Sequence, residues 1–201
     1  MVLELTPDLL LTAYATGIFP MADEEGDICW LAPDPRAIFE LDDFKASRSL
    51  RTVCRRGVFE VTVNRAFAEV VAACADREDG TWISREIVEA YTKLHELGFA
   101  HSVEAWREGR LAGGLYGVSL GGAFFGESMF HRATDASKVA LIHLVDRMKS
   151  RNMVLLDTQF MTPHLASLGA VEISRTEYER RLERAIHCAV SFADPPGWES
   201  P

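Results

Sequence analysis

Residues 101–130 constrain the fold more than any other stretch. HSVEAWR (101–107), RLAGGLYGVSL (110–120) and AFFGESMF (123–130) each read as a strand, and only Glu108-Gly109 and Gly121-Gly122 separate them. Two-residue connections of this kind make tight hairpins, so the three segments form an antiparallel meander. The chain has 201 residues, 48% hydrophobic and 25% charged. That is enough for one good-sized core, or for one domain with a small appendage.

Helical and strand patterns alternate around the meander. Thr6, Pro7 and Gly17 bracket a first helix. Strands are expected around Cys29–Trp30, through Ala37–Leu41 and over 59–64, where the sequence is FEVTVN. A helix capped by Asn64 follows, with Phe67, Val70, Val71 and Cys74 on one face, and a longer one runs over Arg85–Leu97 to Gly98. Asp135 caps a helix through Ser150, ahead of a strand over 153–158. Thr162 and Pro163 open a short helix, AVEIS (170–174) is a strand, and Ser174 with Glu177 makes a capping box for the last helix. This order indicates an α+β or α/β chain with a mixed, mostly antiparallel sheet. A central strand diverging beside a helix N-terminus is the plan of GNAT-type acyltransferases.

Several classes are set aside. No apolar run approaches the roughly 20 residues of a membrane span. MVLELTPDLLLTAY lacks a basic leading region and a small-residue cleavage site, so no signal peptide is read. Cys29, Cys54, Cys74 and Cys188 form no CxxC pair, which fits reduced thiols in a cytoplasmic protein better than disulfides or zinc. The net charge of −9 argues against a general nucleic-acid binder but leaves room for a local basic face. In DFKASRSLRTVCRRG, Lys45, Arg48, Arg51, Arg55 and Arg56 recur every three or four residues ahead of Gly57. A solvated helix face is the simpler reading; a phosphate-facing surface is the sharper one.

The segment LLDTQ (155–159) ends a buried strand with Asp157 and Gln159 two residues apart. Alternation along a strand puts both on one side. They are either a polar strand exit or a pair of site residues on a rigid element.

GIFP (17–20), WLAPDPR (30–36), SRSL (47–50), GTWISREIVEAYTKLHELG (80–98), HSVEAW (101–106), GGLYGV (113–118), FFGESMF (124–130), SK (137–138), LLDTQ (155–159) and HLASLGAVEI (164–173) together resemble the leucyl/phenylalanyl-tRNA–protein transferases. The resemblance runs in order over nearly the whole chain. It implies a GNAT-like acyltransferase domain over 58–192, a small and reduced N-terminal domain over 1–57, and a flexible tail over 193–201. It also implies the activity: leucine or phenylalanine moves from aminoacyl-tRNA to the α-amino group of proteins that begin with Arg or Lys, marking them for N-end-rule degradation. No cofactor is expected, because the donor ester is already activated, and the enzyme is expected to act as a cytoplasmic monomer.

The resemblance also assigns residues. Asp157, Gln159 and Glu127 are the expected catalytic groups: Asp157 orients Gln159 or holds the incoming ammonium, Gln159 meets the amine or ester, and Glu127 contacts the aminoacyl amino group or the adjoining sugar. Leu115, Phe124, Met148 and Leu156 are expected to line the aminoacyl pocket, with Met148 standing where an aromatic is common. Trp82 and Trp30 are expected to stack on the terminal adenosine, where one base contributes about 1–3 kcal/mol. Lys45, Arg48, Arg51, Arg55 and Arg56 are the expected tRNA phosphate contacts. Lys138, after Ser137 at a helix start, is left as a possible contact to the sugar-phosphate end.

Two rivals share these features. An acyl-CoA N-acetyltransferase needs a glycine-bearing pyrophosphate loop after Phe130, and HRATDASK has no glycine there. A noncatalytic module binding tRNA or N-terminal peptides would use the basic helix and tryptophans but leave Asp157, Gln159 and Glu127 without a purpose.

Overall fold

The computed structural model describes residues 4–77 and 80–194. α1 (Pro7–Ala15) is followed by a hairpin of β1 (Phe19–Ala22) and β2 (Ile28–Leu31). β3 (Arg36–Phe39), α2 (Arg48–Arg55), β4 (Glu60–Val63), α3 (Phe67–Ala75) and α4 (Arg85–Glu96) lead to the meander of β5 (Ala100–Arg107), β6 (Arg110–Leu120) and β7 (Ala123–His131). α5 (Ala136–Ser150), β8 (Leu155–Gln159), α6 (Pro163–Ser167), β9 (Val171–Ile173) and α7 (Arg175–Ile186) complete the fold.

One seven-stranded sheet, in the order β4-β5-β6-β7-β8-β3-β9, carries the molecule. Every neighbouring pair is antiparallel except β7 with β8. The expected α+β class and mostly antiparallel sheet are therefore what the chain forms. One core joins the sheet to α1, α3, α4 and α7, and the other face is covered by α5 with α2 and α6. Residues 36–55, grouped above with the N-terminal domain, supply the strand next to the β9 edge of this sheet and a helix packed on α5.

The parallel pair makes the opening that a site needs. β7 and β8 meet only from Ala123–Phe125 against Leu155–Asp157. Beyond that, β7 follows β6 to His131 while β8 follows β3 to Gln159, so the strands part as a wedge. A bulge sharpens it: Gly117 faces Gly126 and Tyr116 faces Ser128, which leaves Glu127 as the extra residue. A Cβ on Gly117 would lie 2.2 Å from the Phe125 carbonyl oxygen, so the bulge requires glycine there.

Local details differ from the sequence expectations in three places. Asn64 does not cap α3. Its backbone is left-handed, and its side chain turns to β5, accepting from Ser102 N–H at 3.1 Å; Glu104 takes the Ala66 N–H instead. Asp135 precedes α5 in a left-handed conformation and gives its carboxylate to Lys138 at 3.1 Å, not to the helix N–H groups. Ser174 caps α7, but Glu177 does not close the box, because Arg180 and Arg181 claim its carboxylate. Of the expected tail, only Ala193 and Asp194 are described, with Asp194 paired to Arg147 at 2.9 Å; 195–201 lie outside the described residues.

Candidate active site

Gln159 ends β8 with φ +66°, a conformation uncommon for a residue with a side chain. It is held there by Asp157, whose Oδ1 accepts the Gln159 N–H at 2.8 Å. Asp157 is in turn fixed from the far side. Arg36 on β3 donates Nε to Oδ1 at 2.9 Å and Nη2 to Oδ2 at 2.7 Å, and Tyr178 on α7 donates to Oδ2 at 2.7 Å. Arg36 also donates to the Gly17 carbonyl at 3.0 Å. Arg36 and Asp157 are both essentially sealed from solvent.

Glu127 receives three donors: Tyr14 of α1 at 2.7 Å, Gln159 Nε2 at 2.9 Å, and Tyr91 of α4 at 3.3 Å. The two tyrosine hydroxyls also touch each other, so their two protons are shared among three contacts. Burial first, and then the Glu127 carboxylate, raise both phenols well above their ordinary range, so they act as donors. With Nε2 committed to Glu127, the Gln159 Oε1 is turned away from the carboxylate, and no described residue donates to it.

Burial pushes the Glu127 carboxyl up to about 8, against the lowering pull of the tyrosines. The native chain then keeps a proton that the unfolded chain releases above the ordinary value of 4.5. Stability therefore falls as pH rises from the ordinary value toward about 8. Glu127→Gln is expected to flatten that decline in urea melts taken across the window; a wild-type slope in the variant contradicts it.

Two cavities meet at the wedge. The first, about 100 Å³, is apolar, with Phe39, Leu115, Leu141, Leu144, Leu156 and Leu165 among its walls. The second is a cleft of about 420 Å³ that includes Met21, Trp82, Gln159 and Phe160. Glu127, Ser128, Met129, Thr158 and Leu165 border both. An apolar pocket thus shares a border at Glu127 with a wider cleft that contains Gln159.

Residues 38–183 match the family model described as leucyl/phenylalanyl-tRNA protein transferase, and residues 4–34 match its N-terminal domain. The chain belongs to the leucyl/phenylalanyl-tRNA–protein transferase family. The leucyl/phenylalanyl-tRNA–protein transferase of Ruegeria pomeroyi is 55% identical over 95% of this chain and 91% of its own. That of Rubrobacter xylanophilus is 55% identical over 95% of this chain and the whole of its own. Among solved structures, L-PGS from Bacillus licheniformis aligns with a TM-score of 0.41 at 16% identity, over 81% of this chain and 55% of that one. No helix among the described residues is long and apolar enough to cross a membrane.

In this member of the transferase family, Glu127 and Gln159 meet through the Gln159 Nε2 bond. Asp157 lies on the same side, but it is fully buried, lines neither cavity and has both oxygens engaged. Holding an incoming ammonium is not open to it; orienting Gln159 is. Leu115 and Leu156 line the apolar pocket, whereas Phe124 and Met148 are fully buried in the core behind it. Helix periodicity marked the inner face of α5, but Leu141 and Leu144 reach the wedge in place of Met148. Trp82 lines the cleft. Trp30 does not, because it pairs with Pro20 in the β1–β2 hairpin and packs on the core. The four arginines Arg48, Arg51, Arg55 and Arg56, with Lys45 before α2, are exposed and in no ion pair among the described residues. Sequence reasoning missed Arg36, Tyr14, Tyr91, Tyr178, Phe160 and Leu165. Arg36 ends the WLAPDPR stretch, Tyr91 lies in GTWISREIVEAYTKLHELG and Leu165 in HLASLGAVEI, so these three stood within the motifs that carry the resemblance.

Proposed function

We propose that the chain transfers leucine and phenylalanine from aminoacyl-tRNA to the α-amino group of proteins that begin with Arg or Lys, marking them for N-end-rule degradation. The reaction belongs in the cytoplasm, where charged tRNA is made, and needs a single copy of the chain. The observation that carries this reading is the apolar pocket bordered by Glu127 and adjoining the cleft that contains Gln159. An aminoacyl side chain fills the pocket, its ammonium lies against Glu127, and its ester carbonyl faces the cleft. The ammonium draws Glu127 into its ionised form, because an opposite charge offsets the burial.

The acceptor amine then enters beside Gln159, whose Oε1 accepts one of its N–H groups and sets its lone pair toward the carbonyl carbon. The nitrogen–carbon bond forms, the bond to the ribose oxygen breaks, and a proton passes from nitrogen to that oxygen, which leaves as a hydroxyl. Gln159 aligns and does not serve as the base. Asp157 is a positioning residue, acting through the Gln159 backbone. Trp82 offers a ring for the terminal adenine, and the exposed cations of α2 with Lys45 offer a surface to the tRNA phosphates.

Leu165→Trp is expected to close the pocket mouth, lowering kcat/KM for phenylalanine by about tenfold more than for leucine. Equal losses for the two donors would remove the pocket from the specificity reading. The function itself is tested by transfer of labelled leucine from charged tRNA to peptides that begin with Arg, Lys, Asp or Ala. Transfer to Arg and Lys alone is expected. Transfer to Asp would keep the chemistry and overturn the acceptor, and tRNA binding without transfer would overturn the enzyme.

A further inference from the structure

One end of the cleft carries chemistry that the transfer step does not use. Ser137, in the first turn of α5, is 5% exposed and lines the cleft, yet its hydroxyl has no hydrogen-bond partner among the described residues. It is not one of the sealed unpartnered atoms there, so it reaches open space. Around it the helix end is uncapped. Ala136 N–H bonds the Ala133 carbonyl and Val139 N–H bonds that of Asp135, but the N–H groups of Ser137 and Lys138 have no acceptor among the described residues. The residue placed to cap them, Asp135, gives its carboxylate to Lys138 Nζ.

Arg77 brings a positive charge to the same cleft, beside His131 and His164, and Glu127 is its one carboxylate among the described residues. Arg77 is steered there by bonds to Ser128 Oγ at 2.8 Å and to the Cys74 carbonyl at 3.1 Å. Free N–H groups at the positive end of a helix, a buried unpartnered hydroxyl and the Arg77 guanidinium recognise a phosphate. Trp82 lines the same cleft, which puts a base platform and an anion site within one cavity.

We infer that the N-terminus of α5 binds the phosphate joining the donor's terminal adenosine to the preceding nucleotide. Ser137 and the N–H groups of Ser137 and Lys138 form the floor, and Arg77, His131 and His164 form the rim. This rests on the transferase reading above and adds to it the position of the donor backbone. The terminal nucleotide is thereby fixed at both ends, by its aminoacyl group at Glu127 and by its phosphate at α5.

The test is competition against transfer from leucyl-tRNA by adenosine and by adenosine 5′-monophosphate, probes that differ in that phosphate alone. The monophosphate is expected to inhibit at least about tenfold more tightly. That ratio should fall toward one in Ser137→Ala and in Arg77→Ala, and recover in part in Arg77→Lys. A variant that merely loosens the fold would weaken both inhibitors together and keep the ratio, which would overturn the site. Equal inhibition of the wild type by the two probes would overturn it as well, while leaving the transferase reading intact. Absence of transfer from leucyl-tRNA in the wild type would overturn that reading and the phosphate site with it.

Discussion

Asp157→Ala is expected to lower the thermal midpoint by on the order of 10 °C and to abolish transfer in whatever fraction stays folded. The cause is the charge it leaves behind. Arg36 is 1% exposed, and its guanidinium is held by Asp157, the Gly17 carbonyl and Tyr178. Removing one partner of a buried pair costs about 3–5 kcal/mol, and a chain of this size loses about 2–4 °C per kcal/mol. Replacing both charges by apolar residues of similar size, as in Arg36→Met with Asp157→Leu, is expected to restore much of the stability. It should not restore transfer, because the Gln159 N–H still lacks the acceptor that holds its backbone left-handed. Thermal melts and transfer rates on the single and double variants separate the two roles. A double variant as unstable as Asp157→Ala contradicts the uncompensated-charge explanation, and one that transfers normally contradicts the positioning role.

Much of the fold was legible because the decisive features are local. The Glu108-Gly109 and Gly121-Gly122 turns set the meander, and Thr6, Thr162 and Ser174 each accept the N–H expected of a helix cap. The strand end at LLDTQ was legible for the same reason, since Asp157 and Gln159 are two residues apart. Their partners were not. Arg36 lies 121 residues before Asp157, and Tyr14 lies 113 before Glu127; nothing near either residue signals the pairing. Tyr14 and Tyr91 sit on the buried faces of α1 and α4, where an aromatic reads as core, and only the assembled fold aims their hydroxyls at one carboxylate.

The pocket shows the same limit. Periodicity separates the inner face of α5 from the outer, but how deep the wedge cuts depends on where β7 leaves β8. Phe124 and Met148 fall behind that point, Leu141 and Leu144 beside it. Gly117 shows how far a single small residue reaches, because the bulge it permits turns a strand glutamate into a buried one.

The site itself stands or falls on Gln159. Its amide is oriented by Glu127 and its backbone by Asp157, and in the proposed reaction its Oε1 meets the incoming amine. Misplacing a reacting group by about 1 Å costs about a hundredfold in rate, and Gln159→Ala removes the group that does the placing. The fold is expected to survive, because Glu127 keeps both tyrosine contacts and the loss of one hydrogen bond amounts to about 1–3 kcal/mol. The most direct measurement is therefore single-turnover transfer of leucine from charged tRNA to a peptide beginning with Arg, in wild type and Gln159→Ala, with donor affinity measured alongside. A rate about a hundredfold lower with donor affinity preserved is expected. A rate close to that of the wild type would contradict the assignment of the amine site to Gln159.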